Sequence, residues 1–456
     1  MESDFNKIKL NSSDLSSEIH TLLTELYPIC RSITGNGVRK TLKLIQNHIP
    51  IKLHEVPSGT KVFDWIIPKE WNIEDAYIKN DKGEKIVDFQ NSNLHILNYS
   101  TPINTRLSLS ELKKHLFTIP EQPNLIPYKT SYYVENWGFC LTHDQFLTLG
   151  EGEYEVVINS TLEDGSLTYG EFFVQGKSDD EILLTCYTCH PSLCNDNLSG
   201  VILVTFLARY LSNLDLNYSY RFLFIPETIG AITWLKLNEE KISKIKNGLV
   251  VTCIGDSGKF TYKKSRQGDA EIDQIVINVL KESEKNYEIL DFFPAGSDER
   301  QFCSPGFNLP VGSLMRTMYH QFPEYHTSAD NLEFVKKEYL LESFFKYVRI
   351  ILELEKNYGS KKSNEKIKNP INRKRNDFFL SLNQKCEPNL EKRNLFNKIT
   401  QLDSGMGMGI NWVLNLSDGN NSLLDISKIS GLEYGLIKKI STLLVDNKLL
   451  KKLLDK

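Results

Sequence analysis

The stretch Leu183-Leu184-Thr185-Cys186-Tyr187-Thr188-Cys189-His190-Pro191-Ser192-Leu193-Cys194-Asn195-Asp196-Asn197-Leu198-Ser199-Gly200 decides how this chain is read. An apolar run stops, a short polar loop follows, and Gly200-Val201-Ile202-Leu203-Val204-Thr205-Phe206-Leu207 begins a second apolar run. That order reads as strand, loop and buried helix, with the loop at the carboxyl end of the strand. In open α/β sheets ligands bind at that edge, where side chains project beyond the packed core. The loop carries His190 and, six residues on, Asp196. Imidazole and carboxylate both suit a divalent metal, zinc among them.

The cysteines of the same stretch invite two other readings. Cys186-Tyr187-Thr188-Cys189-His190 matches the letters of a haem-attachment signature, and Cys186 with Cys189 matches a dithiol motif. A strand that runs to its end points positions 186 and 189 to opposite faces, which argues against haem. A redox dithiol sits at a helix N-terminus, and His190-Pro191 does not open one. Small apolar core residues are the better reading, since unpaired cysteine is mostly buried.

A length of 456 residues allows two to four domains at about 100–200 residues each. Hydrophobic content of 40% and charged content of 25% belong to an ordinary globular chain. A net charge of −4 gives no bulk attraction to nucleic acid or an anionic membrane. The first residues lack an apolar core, so no signal peptide is expected, and no apolar run reaches the roughly 20 residues that span a bilayer. Eight scattered cysteines do not form a disulfide framework, so reduced thiols and a cytoplasmic location are expected.

From Ser12 to Ile49 the spacing is helical, with a break at Gly35-Asn36-Gly37. Arg31 precedes that break and reads as an ordinary surface arginine rather than a substrate ligand. Between 51 and 165 short β-prone runs alternate with Pro, Gly and Asn turns, which marks a separate β-rich domain. Its aromatic cluster Tyr132-Tyr133-Trp137 reads as core before cleft. From Glu171 strands near 182–188, 220–225, 249–254 and 311–315 alternate with helices near 198–211, 229–240, 271–285 and 332–354. Such alternation argues a mostly parallel sheet covered by helices on both faces.

Residues 357–375, rich in Lys, Asn and Ser, read as a linker. Beyond it, Asp425 to Ile440 looks like helix–turn–helix with Gly431 in the turn. The segment Glu433 to Asp446, which would be the recognition helix, balances two lysines against two acids, which is poor for reading DNA. A protein contact or oligomerisation role is expected for this module.

Three further loops follow strands of the same sheet. Pro226 leads into Glu227-Thr228-Ile229-Gly230, Ile254 into Gly255-Asp256, and a third strand is flanked by Gly296-Ser297-Asp298-Glu299-Arg300 and Tyr325-His326-Thr327-Ser328-Ala329-Asp330. Two histidines, an aspartate and a glutamate could therefore converge above one sheet edge. Metal-assisted hydrolysis needs that set, namely three ligands, an open position for water and a carboxylate to take the proton.

In this order the motifs resemble the zinc-dependent aminopeptidase superfamily that includes glutamate carboxypeptidase-like enzymes and glutaminyl cyclases. The resemblance is carried by His190, by Asp196-Asn197-Leu198-Ser199-Gly200, by Glu227 with Gly230, by Ser297-Asp298 and by His326. More closely, the chain resembles an aminopeptidase-like group with an inserted β-rich domain and a C-terminal winged helix, often encoded beside polysaccharide biosynthesis genes. The strings Ile126-Pro127-Tyr128 and Trp137-Gly138-Phe139-Cys140 fit it. The resemblance implies a three-layer α/β/α zinc-peptidase-like fold. Residues 1–50 and 166–356 would form the catalytic domain, 51–165 the insertion and 376–456 the winged-helix-like domain.

It also implies His190, Asp196 and His326 as zinc ligands and Glu227 as the catalytic base. Among the remaining residues Arg316, Tyr325 or Arg300 could face substrate or oxyanion, with a structural role the alternative for each. Where the two-zinc enzymes have Glu-Glu, this chain has Glu227-Thr228, and Thr252 or Cys253 stands where a further aspartate is expected. Asp256, Asp269 and Asp298 are the nearby substitutes. One zinc per chain is therefore expected, in a hydrolase of amide bonds acting on a peptide or small molecule. An amino-sugar or aminoacyl derivative is the substrate class this resemblance implies. A single-zinc acyl-transfer cyclase and a non-catalytic binding protein working through its winged helix are the rival readings.

Overall fold

The computed structural model describes residues 12–359, 377–393, 395 and 405–453. The linker expected over 357–375 lies, beyond residue 359, outside the described residues. Helix α1 (Ser12–Leu26) buries Ile19, Leu22, Leu23 and Leu26, and α2 (Asn36–Ile45) buries Val38, Thr41, Leu42 and Ile45. Both show the three- and four-residue spacing that lines one helix face. Gly35 precedes α2 at φ 95°, and a Cβ there would stand 2.0 Å from the carbonyl oxygen of Trp71. Only glycine fits this approach of α2 to the next segment.

The chain then enters an eight-stranded sheet through β1 (Lys52–Pro57), leaves it for the insertion, and returns in β6 (Ser166–Val174). β1 pairs antiparallel with β6, from Lys52 opposite Glu171 to Pro57 opposite Ser166. Ser58 N–H donates to Gly165 O at 2.9 Å, which closes the neck of the insertion. By strand pairing the insertion therefore begins after Pro57, and Lys52–Pro57 belongs to the large sheet. An insertion between hairpin-paired strands leaves the parent sheet intact, because its two ends are already adjacent. Inside it, β2 (Glu70–Lys79), β3 (Lys85–Asp88), β4 (Ile103–Ser108) and β5 (Glu153–Glu163) form an antiparallel sheet in the order β3-β2-β5-β4.

The centre of the large sheet is β7 (Glu181–Tyr187), flanked by β8 (Ser219–Ile225) and β9 (Ile245–Val251), all parallel. Helix α3 (Ser199–Leu211) connects β7 to β8, and α4 (Ile229–Leu237) connects β8 to β9. Beyond β9 lie β10 (Phe260–Lys263), α5 (Glu271–Ser283), β11 (Tyr287–Leu290), β12 (Val311–Met315) and the long helix α6 (Lys337–Asn357). The full order is β1-β6-β8-β7-β9-β12-β10-β11.

The sheet is mixed with parallel pairs in the majority: β8–β7, β7–β9, β9–β12 and β10–β11 are parallel, and β1–β6, β6–β8 and β12–β10 are antiparallel. In the parallel middle both faces are buried and the strands read as near-continuous apolar runs, broken by Glu181 in β7, Arg221 in β8 and Lys246-Asn247 in β9. β10 and β11 escape that reading because each has four residues and β10 contains a lysine, Lys263.

Alternation along β7 sorts the core. Ile182, Leu184 and Cys186 pack with Phe222 and Phe224 on the face of α1, α3 and α6, while Leu183 and Tyr187 pack with Leu223 and Ile225 on the opposite face, toward α4 and the insertion. Cys186 and Cys189 fall into different clusters, as strand geometry requires, and all eight cysteines are unpaired. No helix among the described residues is long and apolar enough to cross a membrane.

The C-terminal module consists of β13 (Phe378–Ser381), α7 (Met406–Leu416), β14 (Asp418–Ser422), α8 (Leu423–Ser430), α9 (Tyr434–Asp446) and β15 (Leu450–Lys452). Ser422 and Asp425 form a capping box at the start of α8, and Gly431 ends it in the left-handed region at φ 70°. The module is docked, not merely tethered. Arg266 donates to Asn415 and Asp418, Trp65 Nε1 donates to Glu387 O at 2.9 Å, and Asp64 pairs with Lys392 and Arg393.

Candidate metal centre

The loop after β7 is held from every side. Asp330 accepts the backbone N–H groups of Asn195 at 2.6 Å and Asp196 at 2.9 Å. Asn195 Nδ2 donates to Asp256 at 2.9 Å, and Asn197 Nδ2 donates to Val251 O at 2.9 Å. Gly200 opens α3 so close to β9 that a Cβ would lie 2.2 Å from Val251 O. A buried polar loop with its groups paired in this way is rigid. The peptide bond between Asp196 and Asn197 is cis.

His190 Nε2, Asp196 Oδ2 and His326 Nε2 face one another at the end of this loop. His190 Nε2 is 3.8 Å and His326 Nε2 is 2.9 Å from Asp196 Oδ2, and the three side chains offer ligand atoms within 4.8 Å of one another. Asp196 Oδ2 and His326 Nε2 are buried without an aligned hydrogen-bond partner among the described residues. Orphaned buried atoms of this kind ask for an occupant. Two imidazoles and a carboxylate, with one side open, are the donor set of a catalytic zinc site. The residues therefore fit the metal.

Burial drives the His190 imidazole down to about 4, so it is neutral and able to ligate at physiological pH. Burial alone would raise Asp196, but His190 and His326 beside it, with a hydrogen bond from Tyr187, hold it at about 2. His326 at φ 55°, Thr228 at 62° and Cys253 at 48° all lie in the left-handed region, which costs non-glycine residues energy. Their clustering at one sheet edge is typical of a functional centre.

Glu227 leaves β8 with Oε2 3.9 Å from His190 Nε2 and a side chain 26% exposed. Burial, then the carboxylates of Asp298 and Asp196, raise its carboxyl well above the usual range. Behind it, Thr228 N–H donates to Asp298 at 2.7 Å and Arg300 donates to Thr228 Oγ1 at 2.8 Å. Arg300 is paired in turn with Glu387 from the C-terminal segment at 3.2 Å. Next to it Lys263 and Glu299, both fully buried, pair at 2.6 Å. Arg300 is thus committed to the loop that carries Glu227.

The other expected residues divide. Tyr325 stacks on His326 with ring centroids 4.0 Å apart and an interplanar angle of 11°, so it lines the centre. Arg316 spends its donors on Gly258 O and Glu342, away from the three ligand candidates. Asp256 is occupied by Asn195, Gly258 and Thr317, and Asp269 is exposed at the start of α5.

Arg31 is not a surface arginine. It is 1% exposed, donates to His190 O at 2.8 Å and to Leu26 O at 2.7 Å, and burial lowers it to about 10. Its partners are main-chain carbonyls, which no sequence pattern reveals. Tyr128, Tyr187 and Asp330 also touch the centre without having been singled out for it. Tyr128 carried only its place in the string Ile126-Pro127-Tyr128, Tyr187 only the signal of an aromatic residue, and Asp330 only its place four residues after His326. In the aromatic cluster, Tyr132 meets Tyr128 hydroxyl to hydroxyl at 3.0 Å, whereas Trp137 stacks on His115 elsewhere.

This geometry has relatives. A Clostridium acetobutylicum protein named for polysaccharide biosynthesis and an aminopeptidase-like domain is 54% identical over 455 residues, covering 98% of this chain and 99% of that one. A crystal structure from Clostridium acetobutylicum, named as that of a peptidase, superimposes with a TM-score of 0.76 at 53% identity, covering 99% of this chain and all of that one. A zinc aminopeptidase of Bacillus subtilis shares the fold with a TM-score of 0.54 at 13% identity, over 77% of this chain and 96% of that one. Residues 377–452 match the family described as winged helix-turn-helix. Residues 20–357, which include the large sheet, the insertion and the candidate ligands, match the profile described as a domain of unknown function (DUF4910), and the chain belongs to that family.

Proposed function

We propose that this protein is a zinc-dependent hydrolase of amide bonds, with one zinc per chain held by His190, Asp196 and His326. The observation that carries the reading is the convergence of three ligand atoms, two of them orphaned, beside a carboxylate that burial and like charges keep avid for protons. When bound, zinc supplies a Lewis acid that polarises a carbonyl and acidifies water. Glu227 accepts a proton at its carboxylate and returns it to the leaving amine, a role that suits a carboxyl raised above its usual range. Arg31 and Asp330 hold the main chain of His190 and Asp196 in place. Tyr325, which stacks on His326, would donate to a developing oxyanion. Arg300 orients the Glu227–Thr228 loop.

The substrate class is an acylated amine, either a peptide or an N-acyl amino-sugar or aminoacyl derivative. The name of the Clostridium acetobutylicum relative supports a role beside polysaccharide synthesis. The unpaired cysteines support a reducing, cytoplasmic setting. The winged-helix module serves protein contact, since α9 with its flanking Glu433 sets Lys438 and Lys439 against Glu433 and Asp446, and Leu424 and Ile429 are exposed nearby. A screen of N-acylated amino acids and amino sugars, with release of free amine as the readout, tests the reaction. Amine release that survives chelation and full metal removal would contradict it.

A further inference from the structure

We infer that Tyr187 occupies the position a second metal ion would need, and so limits the centre to one ion; this rests on the metal reading above. A two-ion hydrolase holds its ions about 3.5–4 Å apart, and a carboxylate between them must give one oxygen to each. In Asp196, Oδ2 faces His190 and His326. Oδ1 instead accepts a hydrogen bond from the phenol of Tyr187. The phenol oxygen is also 2.7 Å from Thr252 Oγ1. Tyr187 has one proton and gives it to the carboxylate, so Thr252 donates to Tyr187, and the chain runs Thr252 to Tyr187 to Asp196. All three residues are buried.

An ion on Oδ1 would sit about 2.0–2.2 Å from it, within the space the hydroxyl fills. Tyr187 cannot easily step aside. It ends β7, packs in the core on the α4 side, and lies against the His190 ring at 5.1 Å. Thr252 is neutral and hydrogen-bonded to the tyrosine, so the two residues act as one device. The position is not simply short of a ligand but is filled by a hydrogen-bonded plug.

The test is zinc stoichiometry, measured by elemental analysis after equilibrium dialysis and by cobalt titration followed in the visible spectrum. Wild type should saturate at one equivalent. Tyr187→Phe should begin to take up a second equivalent at zinc concentrations that leave wild type at one. Tyr187→Phe combined with Thr252→Asp should bind two. Circular dichroism and retention of the first equivalent show that each variant is folded. Two equivalents in wild type would overturn the inference. So would a single unchanged equivalent in folded Tyr187→Phe, whatever the double variant does. Wild type that binds no metal at all would instead remove the metal reading itself.

Discussion

The main-chain N–H of Tyr128 donates to the carbonyl oxygen of His326 over 2.7 Å, and its ring stands 5.1 Å from those of both His326 and His190. One residue of the insertion thus touches two of the three candidate ligands. Ser328 N–H donates to Ile126 O at 2.9 Å, and Pro127 bridges Thr327, so the contact is a strand-like seam. The insertion is a wall of the centre and not a satellite of it.

Removing that wall should loosen the metal. Tyr128→Ala is expected to weaken zinc binding by about 10–100-fold, the usual cost of losing a group that orients a ligand. Both variants keep the main-chain donor, but Tyr128→Phe also keeps the ring and should stay close to wild type. Competition with a chromophoric chelator measures both, and wild-type affinity in the alanine variant would reduce the contact to packing.

Glu227 is expected to move protons without holding the ion. Glu227→Gln should keep zinc and lose about 10²–10⁴-fold in turnover. Metal analysis beside kinetics separates the roles, since loss of zinc would transfer Glu227 to the ligand set.

Asp298 gives a pH signature. Burial raises its carboxyl from 3.8 to about 7. Between those values the folded metal-free protein keeps a proton that the unfolded chain has released. Its contribution to stability is thus full below pH 3.8 and lost as pH rises through about 7. Asp298→Asn keeps an oxygen for Thr228 N–H but does not titrate. Its stability relative to wild type should therefore rise from pH 4 to pH 8 by an amount on the order of 1–4 kcal/mol. Urea denaturation of both metal-free proteins at the two pH values tests this, and a pH-independent difference would count against a raised Asp298.

The C-terminal module should matter to the catalytic half. Glu387→Ala leaves Arg300 without its carboxylate, at a cost of about 1–2 kcal/mol for a partly exposed pair. It should also lower turnover through Thr228. A chain cut after residue 359 should show a larger fall in its thermal midpoint, because the ties to Asp64, Trp65 and Arg266 go as well. An unchanged midpoint in the cut chain would show that the module is a passenger.

The sequence carried the parallel centre of the sheet because β7, β8 and β9 each hold an apolar run, Ile182–Leu184, Phe222–Ile225 and Leu249–Val251, and it carried His190, Asp196, Glu227 and His326 because each follows a strand. It hid what depends on pairing between distant segments. β1 reads as part of the insertion because its partner β6 lies beyond residue 165. β10 is masked by Lys263, whose charge is matched by Glu299, 36 residues away. Arg31 has only carbonyl partners, and Tyr128 and Tyr187 resemble any core tyrosine until the ligands are placed beside them.

His190, Asp196 and His326 are proposed to hold one metal ion. Zinc content after dialysis against a defined free-zinc buffer, compared between wild type and His326→Ala, tests it most directly. One equivalent per chain in wild type and almost none in the variant is expected, with circular dichroism unchanged. Wild-type occupancy in His326→Ala would contradict the assignment.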